Sequence, residues 1–223
     1  MKISVLQFPG TNCEYDTKYA FEQLGCEVEI IWHKEKNIPE DTDLLVIPGG
    51  FSYGDYLRSG AIARFATIMD SVQAYAAKGG KVLGICNGFQ ILLEAGLLPG
   101  AMKRNDSLHF ISKYHTLKVV NTDNTFLSLL NKDDVLNIPV AHHDGNYYID
   151  ANGLKELEDN NEILLKYCDK DGNLVNMNGS VSNIAAICNK EKNVFGLMPH
   201  PERAIEELLG STDGINMLKG FLQ

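Results

Sequence analysis

The chain has 223 residues, 44% of them hydrophobic, and a formal net charge of −9. That is enough apolar material to bury a real core in one domain, residues 1–223, and no low-complexity tract or fixed-period repeat points to disorder or to a solenoid. The acidic balance repels phosphate backbones and no basic run grips anionic lipid, which counts against nucleic acid and membrane surfaces as partners.

Ile3 to Phe8 is an apolar run closed by Pro9-Gly10. It lacks a basic flank and a small-residue cleavage site, so it reads as a first strand and not as a signal peptide. No apolar stretch approaches the roughly 20 residues needed to span a bilayer. A cytoplasmic location is therefore expected. Glu14 to Leu24 has helical spacing and stops at Gly25. Val28 to Trp32 and Asp43 to Ile47 are the next strands. The stripe Ile62, Phe65, Ile68, Met69, Val72 and Tyr75 predicts one long helix from about Ser59 to Lys78. Lys81 to Ile85 is a fourth strand, with a helix beginning just after Cys86.

The second half reads as richer in strands: Thr116 to Val120, Val135 to Ala141, Ile163 to Tyr167, Ile184 to Ile187 and Val194 to Met198. Helices are expected over about Pro201 to Leu209 and Asp213 to Leu222. Strands alternating with helices predict an α/β fold, a mostly parallel open sheet with helices on both faces and a small antiparallel patch. In such sheets reactive groups collect at the carboxyl ends of the strands, where Gly49-Gly50 and Cys86 both fall.

Five cysteines are present: Cys13, Cys26, Cys86, Cys168 and Cys188. No C-x-x-C pair occurs, so neither a zinc knuckle nor a dithiol redox motif is written here, and reduced thiols are the simplest reading. Four of them read as buried small hydrophobes. Cys86 differs, because Gly84-Ile-Cys-Asn-Gly88 is G-x-C-x-G between a strand and a helix, the cysteine form of a nucleophile elbow. A turn that sharp needs small neighbours two residues away and leaves the sulfur above a helix N-terminus, where negative charge is favoured. The Asn87 N–H then points to where an oxyanion would form.

Met198-Pro-His-Pro-Glu202 is the second signal. Proline after His200 holds that residue extended, and in an extended segment i and i+2 share a face. Glu202 can therefore orient His200 and stabilise its cation. Cys86, His200 and Glu202 make up a nucleophile, a base and an orienting acid. The third signal, Ile47-Pro-Gly-Gly-Phe-Ser-Tyr-Gly-Asp-Tyr-Leu-Arg58, ends a strand in paired glycines, so that a Gly50 or Phe51 N–H could complete an oxyanion hole. His142, His143 and Asp144 leave another strand. No complementary ligand spacing occurs elsewhere, so no metal is expected and a substrate or loop role is favoured.

Gly-Ile-Cys-Asn-Gly-Phe-Gln followed far downstream by His-Pro-Glu resembles the class I, or triad, glutamine amidotransferases, nearly over the full length. Within that group Phe8-Pro-Gly-Thr-Asn-Cys13, Gly49-Gly-Phe-Ser-Tyr-Gly-Asp-Tyr-Leu-Arg58 and Ala141-His-His-Asp-Gly-Asn-Tyr147 look like the glutaminase subunits of phosphoribosylformylglycinamidine synthases. The resemblance implies a Cys86–His200–Glu202 triad that hydrolyses L-glutamine to glutamate and ammonia. It implies an ATP-using synthetase subunit that takes the ammonia in purine synthesis, and a small bridging subunit. It places no cofactor on this chain, with ATP and Mg on the partner. By analogy with the group, Gly50, Asn87, Gln90, His142 and Asn146 would contact glutamine. Two departures affect that pocket: His142-His143-Asp144-Gly145 stands where the group shows His-Gly-Glu-Gly, and Leu108-His109 precede Phe110 where it shows a glycine and a basic residue. A triad amidotransferase of another pathway, a cysteine-elbow protease or chaperone-like relative, and a non-enzymatic subunit are the competing readings.

Overall fold

The computed structural model describes residues 1–223. Five strands run parallel. They are β1 (Lys2–Gln7), β2 (Glu27–Trp32), β3 (Leu44–Ile47), β4 (Lys81–Ile85) and β11 (Val194–Leu197). Four more extend the same sheet in antiparallel pairing: β6 (Ile111–Val119), β7 (Val135–His142), β9 (Ile163–Cys168) and β10 (Ile184–Cys188). The order across the sheet is β2-β1-β3-β4-β11-β10-β9-β6-β7. A separate antiparallel ribbon joins β5 (Ala101–Lys103) to β8 (Asn146–Tyr148). The expected α/β class is what the chain adopts, with an antiparallel half larger than a patch.

Strand composition follows position. Leu44 to Ile47 and Val194 to Leu197 are buried throughout, because central parallel strands are covered on both faces. The edge strand β2 fully buries only Val28 and Ile31. Helices α1 (Glu14–Gln23) and α3 (Asn87–Glu94) pack on the parallel half. Helices α4 (Ala151–Asp159) and α5 (Gly214–Lys219) belong to the second half of the chain. No helix is long and apolar enough to cross a membrane.

Two expected helices need correction. The helix predicted over Ser59 to Lys78 forms only as α2, Ile68–Ala77, preceded by a 3-10 turn at Ala63–Phe65. The break before α2 is at Ala66, whose ψ of 144° is extended, and upstream Gly60 holds φ +80° where a Cβ would stand 2.8 Å from the Ile91 nitrogen, so that the chain there lies against α3. Pro201 to Leu209 forms two 3-10 turns, Pro201–Arg203 and Glu207–Leu209, because the segment's backbone is tied across the fold: the His200 N–H donates to the Pro139 carbonyl, 2.8 Å, and the Gly214 N–H to Ala204, 2.8 Å. The helix α4 and the β5–β8 ribbon went unread. Asp150 had signalled α4, for its carboxylate caps the helix by accepting the Gly153 N–H at 2.8 Å.

Candidate active site

The Ile85–Asn87 turn carries the elbow. Cys86 has φ 50° and ψ −104°, a conformation that a non-glycine residue holds only when its surroundings over-determine it. The glycines explain how. A Cβ on Gly84 would meet the Gly88 carbonyl group at 2.8 Å, and one on Gly88 would stand 1.8 Å from the Ile47 carbonyl oxygen. Hydrogen bonds fix both sides of the turn, Cys86 N–H to the Leu197 carbonyl at 2.7 Å and Gln90 N–H to the Cys86 carbonyl at 3.1 Å. The Cys86 thiol donates to the Ala141 carbonyl at 3.6 Å.

His200 reaches this turn from β11, the hydrogen-bonded neighbour of β4. A Cβ on Gly49 would stand 2.7 Å from His200 Cε1 and 3.5 Å from Cys86 Cβ, so the two side chains meet over that glycine. His200 Nδ1 is 2.6 Å from Glu202 Oε1, both side chains being buried. Nδ1–H therefore donates to the carboxylate, and Nε2, which has no partner, is the ring atom left for the sulfur. Burial opposes charge on the ring. The Glu202 carboxylate, and after it Cys86, outweighs that penalty and holds the His200 pKa above the ordinary imidazole value.

Of the two proposed oxyanion donors on the glycine strand, one is engaged: the Phe51 N–H donates to the Gly10 carbonyl at 3.0 Å. No protein acceptor takes the Gly50 N–H or that of Asn87, the first residue of α3. Gly50 holds φ +140°, and a Cβ there would stand 2.7 Å from the Asn12 nitrogen.

Beside Cys86 lies a cleft of about 290 Å³, lined by Gly50, Phe51, Asp55, Gln90, His142 and Asp144 among others. A larger hollow of about 690 Å³, between Met1, Tyr75 and Phe221, contains no cysteine or histidine and carries no such chemistry. Gln90 is in the wall, but its amide is already committed. Nε2 donates to the Asp144 carbonyl at 2.6 Å and Oε1 accepts from Asn87 Nδ2 at 2.9 Å. Asn87 Oδ1 in turn accepts the Ser52 N–H at 3.0 Å. These two side chains brace the loops on either side of the cleft.

Asn105 Nδ2 donates to the carbonyls of His109 and His142, both at 3.0 Å, which makes its Oδ1 an acceptor. That oxygen takes the Gly145 N–H and His142 Nδ1, both at 3.1 Å. The network assigns the proton of His142 to Nδ1. Burial first, and the charge of His200 second, push the His142 pKa down to about 4, so this ring is neutral. Asn146 is not in the cleft: pairing of β8 with β5 turns it away, and its amide donates to Asp106 Oδ1 at 3.0 Å.

The sequence had passed over Asp55, which sits inside what reads as an ordinary glycine loop. Burial, then the neighbouring Asp144, push its pKa up to about 6. Cys13 was also passed over. Its sulfur, a ring nitrogen of His200 and a carboxylate oxygen of Glu202 all lie within 4.8 Å of one another. The three are metal-ligand types, but Arg203 Nη2 donates to Cys13 Sγ at 3.1 Å and already supplies a cation there.

Comparison with known proteins agrees with this geometry. The family described as the CobB/CobQ-like glutamine amidotransferase domain matches residues 1–214. Phosphoribosylformylglycinamidine synthase subunit PurQ of Sulfurimonas denitrificans is 69% identical over 223 residues, covering 100% of both chains. The same-named subunit of Campylobacter jejuni is 58% identical over 100% of this chain and 96% of its own. Among solved structures, PurLQS from Thermotoga maritima superimposes with a TM-score of 0.89 at 40% identity, covering 99% of this chain and 97% of that one. The glutaminase domain of Trypanosoma brucei CTPS shares the fold, with a TM-score of 0.61 at 12% identity over 100% and 94% of the two chains. A family match running almost end to end, on a chain whose elbow cysteine meets a carboxylate-held histidine, means that this protein belongs to the CobB/CobQ-like glutamine amidotransferases.

Proposed function

We propose that the chain is the glutaminase subunit of a phosphoribosylformylglycinamidine synthase, with Cys86, His200 and Glu202 as its catalytic triad. The observation that carries the triad is the His200–Glu202 contact of 2.6 Å, with Nε2 left unpartnered beside Cys86. In this reading His200 Nε2 takes the Cys86 thiol proton as the sulfur attacks the side-chain amide carbon of L-glutamine, and the carbonyl oxygen takes up negative charge near the free N–H groups of Gly50 and Asn87. His200 gives its proton to the departing nitrogen, ammonia leaves, and a thioester remains on Cys86. Water then attacks the thioester, with His200 taking its proton, and glutamate is released as the thiol is restored. Glu202 keeps the imidazole in one tautomer throughout.

The ammonia goes to an ATP-using synthetase subunit, which converts the formylglycinamide ribonucleotide to the amidine in purine biosynthesis, and a small subunit bridges the two. ATP and Mg bind the partner, and the assembly is cytoplasmic. The naming of the relatives as subunits and the PurLQS neighbour support this reading. Identity of 69% over the whole chain favours it over an amidotransferase of another pathway. The direct test is incubation with a diazo-ketone glutamine analogue followed by mass spectrometry. Labelling at Cys86, blocked by glutamine and lost in Cys86→Ala, is the expected result. Labelling at another cysteine, or none with the synthetase subunits present, overturns the proposal.

A further inference from the structure

The cleft beside Cys86 holds a carboxylate that the chemistry above does not use. Asp55 lines it together with Gly50, Cys86, His142 and Asp144. Its loop, which follows β3, is pinned on two sides: the Ser52 N–H donates to Asn87 Oδ1 at 3.0 Å and the Tyr53 N–H to the Pro9 carbonyl at 2.6 Å. Asp55 itself holds φ +55°, a left-handed backbone that is kept only where the surroundings over-determine it.

The cations and donors around the cleft are committed to other acids. Arg58 gives Nε and Nη2 to Glu94, both at 2.6 Å. Ser59 Oγ donates to Asp144 Oδ2 at 3.0 Å, and His143 Nδ1 and Arg104 Nε stand 3.2 and 4.0 Å from Asp144 Oδ1. Asp144 thus has three partners. Asp55 has no ion pair and only the Asn87 amide, at 3.5 Å. Burial and the Asp144 charge push its pKa up to about 6, so at neutral pH it is ionised at a cost to the fold. A second acceptor in the same cleft is also unfilled. His142 is 2% exposed, its proton is on Nδ1, and Nε2 has no partner. Two acceptors without donors, beside the free N–H groups of Gly50 and Asn87, match a ligand that carries N–H donors and a carbonyl oxygen.

We infer that Asp55 takes the α-ammonium group of glutamine and so selects an α-amino acid amide over other primary amides. The inference rests on the glutaminase reading of the proposed function. In an extended glutamine the α-nitrogen lies roughly 5 Å from the amide carbon, across four bonds of about 1.5 Å each. With the amide at Cys86, the ammonium group therefore stays inside a cleft of about 290 Å³ whose wall includes Asp55. There it supplies the counter-ion that the chain withholds, and the repulsion between Asp55 and Asp144 is relieved by attraction to a common cation. A charge that weakens the empty protein and is satisfied by the ligand is the usual compromise between stability and binding.

The test uses the full chain assembled with its synthetase subunits, and compares glutamine with glutaramate, which has hydrogen in place of the α-amino group. Asp55→Asn keeps the size of the side chain and removes its charge. It is expected to raise the KM for glutamine about 30-fold, the loss of one hydrogen-bonded charge pair, while kcat at saturation holds. Glutaramate, measured as a competitive inhibitor, has no ammonium group to lose, so its inhibition constant should be the same in wild type and Asp55→Asn. The inference is overturned if the KM for glutamine does not change or if the loss falls on kcat. It is equally overturned if glutamine and glutaramate weaken together, which would assign the effect to the shape of the loop. Failure of the triad reading shows separately, as glutamine hydrolysis that survives in Cys86→Ala.

Discussion

The α-carbon of Gly88 faces the end of β3 so closely that a side chain there would begin 1.8 Å from the Ile47 carbonyl oxygen. The elbow turn and the neighbouring strand are thus one packed unit. Gly88→Ala must push α3 away from β3, and overpacking of this kind costs about 1–3 kcal/mol. The variant is expected to melt at lower temperature by calorimetry and to lose most glutaminase activity, because Cys86 and the Asn87 N–H move with the helix. Wild-type activity in Gly88→Ala would mean that the turn tolerates displacement.

Glu202→Gln keeps the size of the side chain and removes the charge that holds the His200 pKa up. A kcat loss of roughly 10²–10⁴-fold is expected, as for other bases deprived of their orienting carboxylate. The pH dependence has a definite sign. A histidine whose folded pKa is raised contributes stability that is complete below the unfolded value, about 6.5, and is lost as pH climbs through the folded one. Urea midpoints of wild type should therefore fall on the alkaline side of that value, and those of Glu202→Gln should change less over the same range.

Asp55 has the opposite sense. Its pKa is pushed up to about 6 by burial and by Asp144, so ionising it works against the fold. Below about 4 the group is protonated folded and unfolded alike, the penalty grows as pH rises to 6, and it is constant above that. Asp55→Asn is expected to raise the melting temperature relative to wild type at pH 8 and to leave it unchanged near pH 4. An equal gain at both pH values would assign the effect to packing and not to charge.

Asn105 is fully buried and ties four groups together: the carbonyls of His109 and His142, the Gly145 N–H and the His142 ring. Asn105→Ala strands all four, and a loss of about 2–4 kcal/mol is expected from chemical denaturation. The His142–Gly145 loop lines the cleft, so the KM for glutamine should rise more than kcat falls. An unchanged KM would detach this network from substrate binding.

The residues of the proposed triad stand out in the sequence because each has a steric or conformational signature next to it. Glycines two places from Cys86 answer clashes that the turn creates, and the prolines around His200 hold it extended. The course of neighbouring polar groups was harder to read, since it depends on distant chain. Nothing near Phe51 reveals that Gly10 takes its N–H, and nothing near Gln90 reveals that the Asp144 carbonyl holds its amide. The long helix predicted from Ser59 failed for a related reason. Its apolar period is real, but the chain breaks at Ala66 and upstream, at Gly60, lies against the α3 backbone, which no local window contains. Asn146 was misplaced because β5 and β8, three residues each, are too short to show a period.

Cys86 and His200 follow two strands that are hydrogen-bonded in register, Ile85 opposite Leu197. Everything between these strands in the chain, including the whole antiparallel half and α4, leaves from one and returns to the other. The register of that strand pair sets how far apart the two backbones stand, and β7 holds both from above, through Pro139 and Ala141. Within the intervening stretch α3, β7 and the His142–Gly145 loop are held to the site, through the His200 N–H on Pro139 and the Cys86 thiol on Ala141, whereas segments such as α4, which touch neither residue, can lengthen or shorten while Cys86 and His200 keep their places.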